Sequence, residues 1–373
     1  MSSPKGRLMS LDALRGFDMF WIIGARGIVD GLMGLGLPGT GFLINQLTHS
    51  EWDGFTFYDL IFPLFIFIVG VSLVFSLRRR LERGDDHIAI LRHVATRALI
   101  LFLLGIFYNI DFGRLPAIGP LRVMGVLQRI ALAYFFASIL ALKTHVRVQA
   151  AVAAGLLFGY WLIMRFIPVP GMEVGVLAPG YNLAAYVDSH LLPGHLYYGT
   201  WDPEGILSTL PAIATCLLGV LAGHWLSAEY APGGHTLAGE RKAGALFLSG
   251  AIVTVLGLLA GLIFPINKSL WTSSFALLTG GISAMLLAVF YWIIDVRGHR
   301  RWAFPFVVIG LNSIAIYLAV DIIPFGSIAK FLVGTHIAPL FGRGQELFEA
   351  GVQLFMEWLI LYWMYRKRIF IRL

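Results

Sequence analysis

Ten apolar runs, each close to the length that crosses a bilayer, dominate this 373-residue sequence. They fall at residues 16–35, 57–77, 90–108, 121–142, 148–167, 206–227, 243–264, 270–293, 303–323 and 350–367. A bilayer core takes about 20 apolar residues per helical span. The runs do not alternate and they carry Gly and Pro, which favours helices over a β-barrel. The fold class expected is therefore all-α: a polytopic membrane helix bundle of about ten transmembrane helices. Composition agrees, with 58 % hydrophobic and 13 % charged residues against about 25 % charged in soluble domains. Little chain remains for an extramembrane domain, so residues 1–373 read as a single transmembrane domain.

The charges then set the orientation. Twenty of the 28 Lys and Arg lie in the N-terminal segment, in alternate connections and in the tail, among them Lys5, Arg7, Arg15, Arg78, Arg79, Arg80, Arg83, Arg92 and Arg97. The longest connection, at about 168–205, contains none. By the positive-inside rule both termini are cytoplasmic and that connection is extracytoplasmic. The net charge of +7 thus reports topology, and nucleic acid is not an expected partner. Lys5 and Arg7 before the first run resemble a signal peptide, but Asp18, Arg26 and Asp30 interrupt the run and no small-residue cleavage site follows, so an uncleaved first span is expected.

Several motif classes are excluded. The single cysteine, Cys216, gives no disulfide framework. Gly34, Gly36, Gly39 and Gly41 lack the Gly-Lys-Ser/Thr of a nucleotide loop. His190 and His195 have no third ligand at metal spacing, so no metal is expected. Gly219 with Gly223, and Gly257 with Gly261, give the small-xxx-small spacing of close helix contacts, read as packing inside one bundle ahead of a dimer face.

Polar groups in or beside a membrane are costly and are candidates for function. Three stretches carry them. Ser10 to Asp18 is either a Ser/Asp-capped helix start with Arg15 at the headgroups, or an anion-binding edge. Thr48 to Pro63 places His49 among Glu51, Asp53 and Asp59 on the outer side. A histidine there is a candidate general base whose tautomer a carboxylate fixes, or a plain loop residue; Asp59 is equally a first-turn carboxylate favoured by the helix dipole. Arg122 to Ile130 holds Gln128 and Arg129 inside a span, where Arg129 needs an anionic or carbonyl partner, either an Asp on a neighbouring helix or a ligand.

At these stretches the chain resembles the transmembrane acetyltransferase family that contains heparan-α-glucosaminide N-acetyltransferase. The similarity runs through Ser10–Gly16, His49–Gly70, Gly125–Ile130, Asp202-Pro203-Glu204-Gly205 with Leu218-Gly219-Val220, Pro265-Ile266-Asn267-Lys268 with Leu270-Trp271, Asp295-Val296-Arg297-Gly298, and Gly310-Leu311-Asn312-Ser313-Ile314. The small bacterial inner-membrane members, without the extra luminal domain, are the most similar in outline. The resemblance implies an acyltransferase that moves acetyl from cytoplasmic acetyl-CoA, a co-substrate, to the amine of glucosamine or a glucosamine-terminated saccharide across the membrane.

On that resemblance His49 is the general base, Asp59 its orienter, and Arg26 an oxyanion or acceptor contact where the family has an asparagine. Arg15, Arg78, Arg79 and Arg80 are candidates for the CoA phosphates, with Gln128 and Arg129 also assigned to the cofactor. Asp53, Asp202, Glu204, Asn267 and Asn312 are candidates for the sugar. The family suggests a homodimer in a bacterial inner membrane. The rival readings are an amino-sugar transporter, for which the halves show no convincing internal repeat, and a polysaccharide O-acetyltransferase.

Overall fold

The computed structural model describes residues 8–110, 121–229 and 238–371. Lys5, Arg7, Arg114 and Arg372, used in the charge count, lie outside the described residues. Among these the chain is helical: α1 Met9–Leu35, α2 Thr40–Gln46, α3 Ile61–Glu82, α4 His87–Tyr108, α5 Val126–Lys143, α6 Val146–Phe166, α7 Leu183–Leu191, α8 Thr209–Ser227, α9 Gly239–Ala260, α10 Ser273–Phe290, α11 Phe304–Leu311, α12 Ser313–Ile322, α13 Phe325–Val333 and α14 Gln345–Arg366. A 3-10 turn, Phe57–Leu60, leads into α3.

Seven of these elements are long and apolar enough to cross a membrane, and the α11–α12 pair is an eighth candidate. Helices α1 and α14, of 27 and 22 residues, have the length but carry more charge, including Asp12, Asp18 and Arg26 in α1 and Glu349 and Glu357 in α14. The expected run at 303–323 is not one straight helix. It bends by 75° between α11 and α12. Asn312 sits at the break with φ −130° and ψ 35°, and its side chain holds the tail: Nδ2 donates to Ile369 O and Oδ1 accepts from Ile371 N. Broken backbone in a membrane helix persists where neighbouring groups re-satisfy it.

The chain forms two compact units, one of residues 1–50, 55–65 and 289–373, the other of 51–54 and 66–288. In the first, α1 packs on α11 and α14. A Cβ at Gly16 would run into the Phe306 carbonyl, and one at Gly310 into the Asp12 carbonyl, so paired glycines bring α1 and α11 into backbone contact. The start of α1 has no cap of its own; Asp295 accepts from Met9 N and Ser10 N at 3.2 and 3.1 Å. This distant carboxylate replaces the local Ser/Asp cap suggested by the sequence.

In the second unit α6 and α5 pack on α8, and α4 on α5. Gly219 meets Phe67 O and Gly223 meets Val71 and Val74 of α3, while Gly257 lies on Leu278 of α10. Gly219, Gly223 and Gly257 therefore serve helix packing inside the unit, while Gly261 meets only Leu258 and Ile266 at the end of α9. Leu99, Leu103 and Phe107 of α4, Phe158 of α6, and Leu248, Ile252 and Leu259 of α9 are exposed. Apolar side chains turned outward in this number suit a lipid solvent rather than water.

Candidate active site and ion cluster

The Thr48–Leu60 segment builds a histidine–carboxylate pair within the first unit. Thr56 and Asp59 form a capping box over the 3-10 turn, a local arrangement that the Thr-x-x-Asp spacing encodes. Asp59 has no exposed surface. Its Oδ2 accepts from Ser50 N at 3.3 Å and Thr56 N at 3.0 Å. The Thr56 hydroxyl lies 3.1 Å from the same oxygen and 2.7 Å from Thr48 O. The other oxygen, Oδ1, is 2.8 Å from His49 Nδ1.

With Asp59 ionised, as its two backbone N–H contacts favour, Nδ1 of His49 is the donor. Nε2 then keeps its lone pair, the form a general base needs. The His49 side chain is 46 % exposed against 0 % for Asp59, so the imidazole is reachable while the carboxylate is shielded. Asp59 thus caps the turn with one oxygen and contacts His49 with the other.

The 3-10 turn that carries Asp59 packs on α1. Phe57 of the 3-10 turn packs edge-on against Trp21, centroids 5.2 Å apart, and Trp21 is near the midpoint of α1, a helix about 40 Å long. Gln46 Oε1 of α2 accepts from Phe57 N and helps hold the turn there. Arg26, farther along α1, is exposed. Arg15 contacts Asp12 and Gly310 O, both at 3.5 Å.

A second polar cluster lies in the other unit. Arg122 Nε and Nη2 fork onto Asp202 at 2.7 Å each, and Nη2 reaches Glu204 at 2.5 Å. The guanidinium also lies over the Tyr197 ring, 4.6 Å from its centroid. Burial alone would weaken the Arg122 charge, but the hydrogen bonds and the charges of Asp202 and Glu204 outweigh it and push its pKa up. Asp202 and Glu204, candidates for sugar hydroxyls, are thus committed to Arg122. The sequence named Arg122 without giving it a role, because its partners lie 80 and 82 residues away.

Near this cluster Asp188 of α7 is pushed up to about 7, first by burial and then by the Asp202 charge, against the Ile206 N–H and Arg129. Arg129 has no exposed surface. Its Nη2 donates to the Ser208 hydroxyl, and the guanidinium lies over Trp271 at 4.9 Å. Of the two partners the sequence left open, an Asp on a neighbouring helix or a ligand, the structure shows no Asp contact among the described residues; the contacts are a hydroxyl and a ring. Gln128 is buried beside Gly105.

Asn267 and Asp53 come together, with Nδ2 donating to Asp53 Oδ1 at 3.0 Å. Asn267 Oδ1 accepts from Leu270 N at 2.8 Å, which makes this residue the organiser of the turn before α10. Of the basic run, Arg78 pairs with Glu82 and Glu229 and donates to Ser227 O, and Arg80 pairs with Asp85. Arg79 Nε donates to Phe75 O. Among the described residues no three His, Cys, Asp or Glu side chains gather as a metal site.

Apolar helices long enough to span a membrane define an all-helical polytopic membrane protein, in which a buried carboxylate contacts an accessible imidazole. The chain belongs to the heparan-alpha-glucosaminide N-acetyltransferase catalytic family, whose family model matches residues 7–250. It is 30 % identical over 382 residues to the heparan-alpha-glucosaminide N-acetyltransferase of Homo sapiens, covering 86 % of this chain and 55 % of that protein. It is 28 % identical over 427 residues to that of Mus musculus, covering 98 % of this chain and 61 % of the relative. The chain therefore spans little more than half the length of these relatives.

Proposed function

We propose that this protein is an acetyl-CoA-dependent N-acetyltransferase of glucosamine or a glucosamine-terminated saccharide, with His49 as general base. The observation that carries the reading is the 2.8 Å His49–Asp59 contact, inside the stretch matched by a family described as an N-acetyltransferase.

An ammonium is no nucleophile, so the acceptor first releases one proton to water and reacts as the free amine. The amine nitrogen then attacks the thioester carbonyl carbon. His49 Nε2 takes the second proton as the C–N bond forms, and the thiolate leaves and recovers a proton as the C–S bond breaks. Asp59 holds the ring and stabilises the imidazolium between these transfers. Arg26 is the candidate contact for the oxyanion or for an anionic part of the acceptor. Arg15, Arg78, Arg79 and Arg80 are the candidates for donor phosphates, Arg15 lying beside Asp12 and Arg78 and Arg80 paired with acids. Direct transfer in a ternary complex is the favoured route. The charge asymmetry supports a donor that docks from the cytoplasmic side; the proposed location is a bacterial inner membrane and the proposed assembly a homodimer.

The test is purified protein with acetyl-CoA and glucosamine, following free thiol and N-acetylated sugar. Both products in equal amount support the reading. No transfer to any amino sugar, with sugar uptake into vesicles independent of acetyl-CoA, replaces the enzyme by a transporter. Acetylation of hydroxyls alone replaces it by an O-acetyltransferase.

A further inference from the structure

The connection at 168–205, which has no Lys or Arg, carries an aromatic cluster that takes no part in the proposed chemistry. Tyr198 N donates to Trp201 O at 3.1 Å across a tight turn, and Gly199 takes the positive φ of 78° at its tip. The turn lays the Tyr198 ring on that of Trp201, with centroids 4.4 Å apart and 22° between planes. Tyr197 meets Tyr198 edge-on at 4.8 Å, and Trp52 meets Trp201 edge-on at 5.3 Å. All four rings belong to the second unit.

The Arg122 cluster anchors these rings. Asp202 Oδ2 accepts from Tyr197 N at 3.2 Å as well as from Arg122, and the Arg122 guanidinium covers one face of Tyr197. Trp52 Nε1 donates to Leu177 O at 3.1 Å. Tyr197 and Tyr198 nevertheless stay 54 % and 57 % exposed. The aromatic residues of a membrane belt sit at the headgroup ends of spans; these are locked to one another and to an ion cluster in a connection. Rings already fixed in place lose little freedom when they bind.

The C–H face of a sugar ring is apolar and slightly positive, so it stacks on an aromatic face while the hydroxyls at its edge stay in water. Charge narrows the class further. The connection holds Glu173, Asp188, Asp202 and Glu204, and Glu51 and Asp53 flank Trp52. Of the neighbouring cations, Arg122 is engaged by Asp202 and Glu204, Arg165 donates to Gly175 O, and Lys268 follows Asn267, the partner of Asp53. A sulfate is recognised by clustered Arg or Lys, whereas an ammonium is drawn to an excess of carboxylates.

We propose that Trp52, Tyr197, Tyr198 and Trp201 form a stacking site for an unsulfated amino-saccharide of more than one sugar unit. The inference deepens the proposed acetyl transfer and rests on it for the identity of the acceptor. Asp202 acts as a positioning residue, since both its oxygens are taken by Arg122 and backbone N–H groups.

Isothermal titration calorimetry on the full chain in detergent, without acetyl-CoA, separates binding from chemistry. The probes are glucosamine, a β-linked glucosamine tetramer and a sulfated heparin tetrasaccharide, against wild type, Tyr198→Phe, Tyr198→Leu and Tyr197→Leu. Wild type is expected to bind the glucosamine tetramer about tenfold or more tighter than glucosamine or the sulfated tetrasaccharide. The two Leu variants are expected to lose most of the tetramer's advantage, and Tyr198→Phe, which keeps the ring face, to retain it. The carboxylates are the same in every variant, so the loss reports the rings. Equal affinity of wild type for glucosamine and its tetramer overturns the site. Undiminished tetramer binding in both Leu variants makes the rings a membrane belt and also overturns it, and tighter binding of the sulfated probe overturns the charge selection. If the tetramer binds through the rings but no acetyl group is transferred to it, the acetyltransferase reading falls and the saccharide site stands. If Tyr198→Leu does not fold, Tyr197→Leu decides.

Discussion

Asp59 gives one carboxylate oxygen to His49 Nδ1 at 2.8 Å and the other to the backbone N–H groups of Ser50 and Thr56. The turn and the candidate base are therefore fixed by a single buried side chain. Changing it disturbs the tautomer of His49 and the loop together.

His49→Ala is expected to abolish acetyl transfer with the fold intact, because no other group takes the amine proton. Asp59→Asn is expected to lower kcat by about two to four orders of magnitude, since an amide permits the wrong imidazole tautomer. KM for acetyl-CoA should change little in either. Steady-state kinetics with glucosamine checks both, and near-normal turnover of His49→Ala would reassign the base.

Arg122 neutralises two carboxylates whose side chains are 0 % and 12 % exposed. Arg122→Ala leaves them facing each other without a cation, at a cost of about 3 kcal/mol or more. Arg122→Lys restores the charge but not the fork onto Asp202, so partial recovery is expected. Thermal denaturation in detergent measures both, and a melting temperature equal to wild type for Arg122→Ala would remove the cluster from the structural account.

Asp188 has a folded pKa of about 7 against an ordinary 3.8. The folded chain then holds a proton between these values that the unfolded chain has released. Stability is greatest at the acid end of the window and declines as pH rises through it. Asp188→Asn keeps an acceptor for Ile206 N, 2.8 Å away in the wild type, but cannot ionise. Melting temperatures from pH 4 to 8 should show a shallower decline in the variant, and parallel curves would deny Asp188 a part in the pH dependence.

Gly16→Ala places a methyl group against the Phe306 carbonyl, and backbone cannot move aside as a side chain can. Loss of folded protein in membrane extracts is expected. Gly155→Ala on α6 meets nothing within 4 Å and should be neutral or stabilising, by up to about 1 kcal/mol of helix propensity. Equal yields of the two variants would contradict the close α1–α11 contact.

The spans were legible because hydropathy over a bilayer's length is a local property, and the broken pair α11–α12 was the exception. Asn312 costs little in a helix by propensity, and only its bonds to the tail backbone, 57 and 59 residues on, fix the bend. The His49–Asp59 pair was legible for a similar reason, with partners 10 residues apart on one turn.

By itself the sequence determined the all-helical membrane class, the charge asymmetry and the family, since length, hydropathy and motif order need no folding to be read. The tertiary structure decided what each polar residue is committed to. Asp202 and Glu204 went to Arg122, Asn267 to Asp53 across 214 residues, Asn312 to the tail and Asp295 to the start of α1. In surroundings without water, a buried polar group must find its partner in the protein, and folding selects that partner from anywhere along the chain.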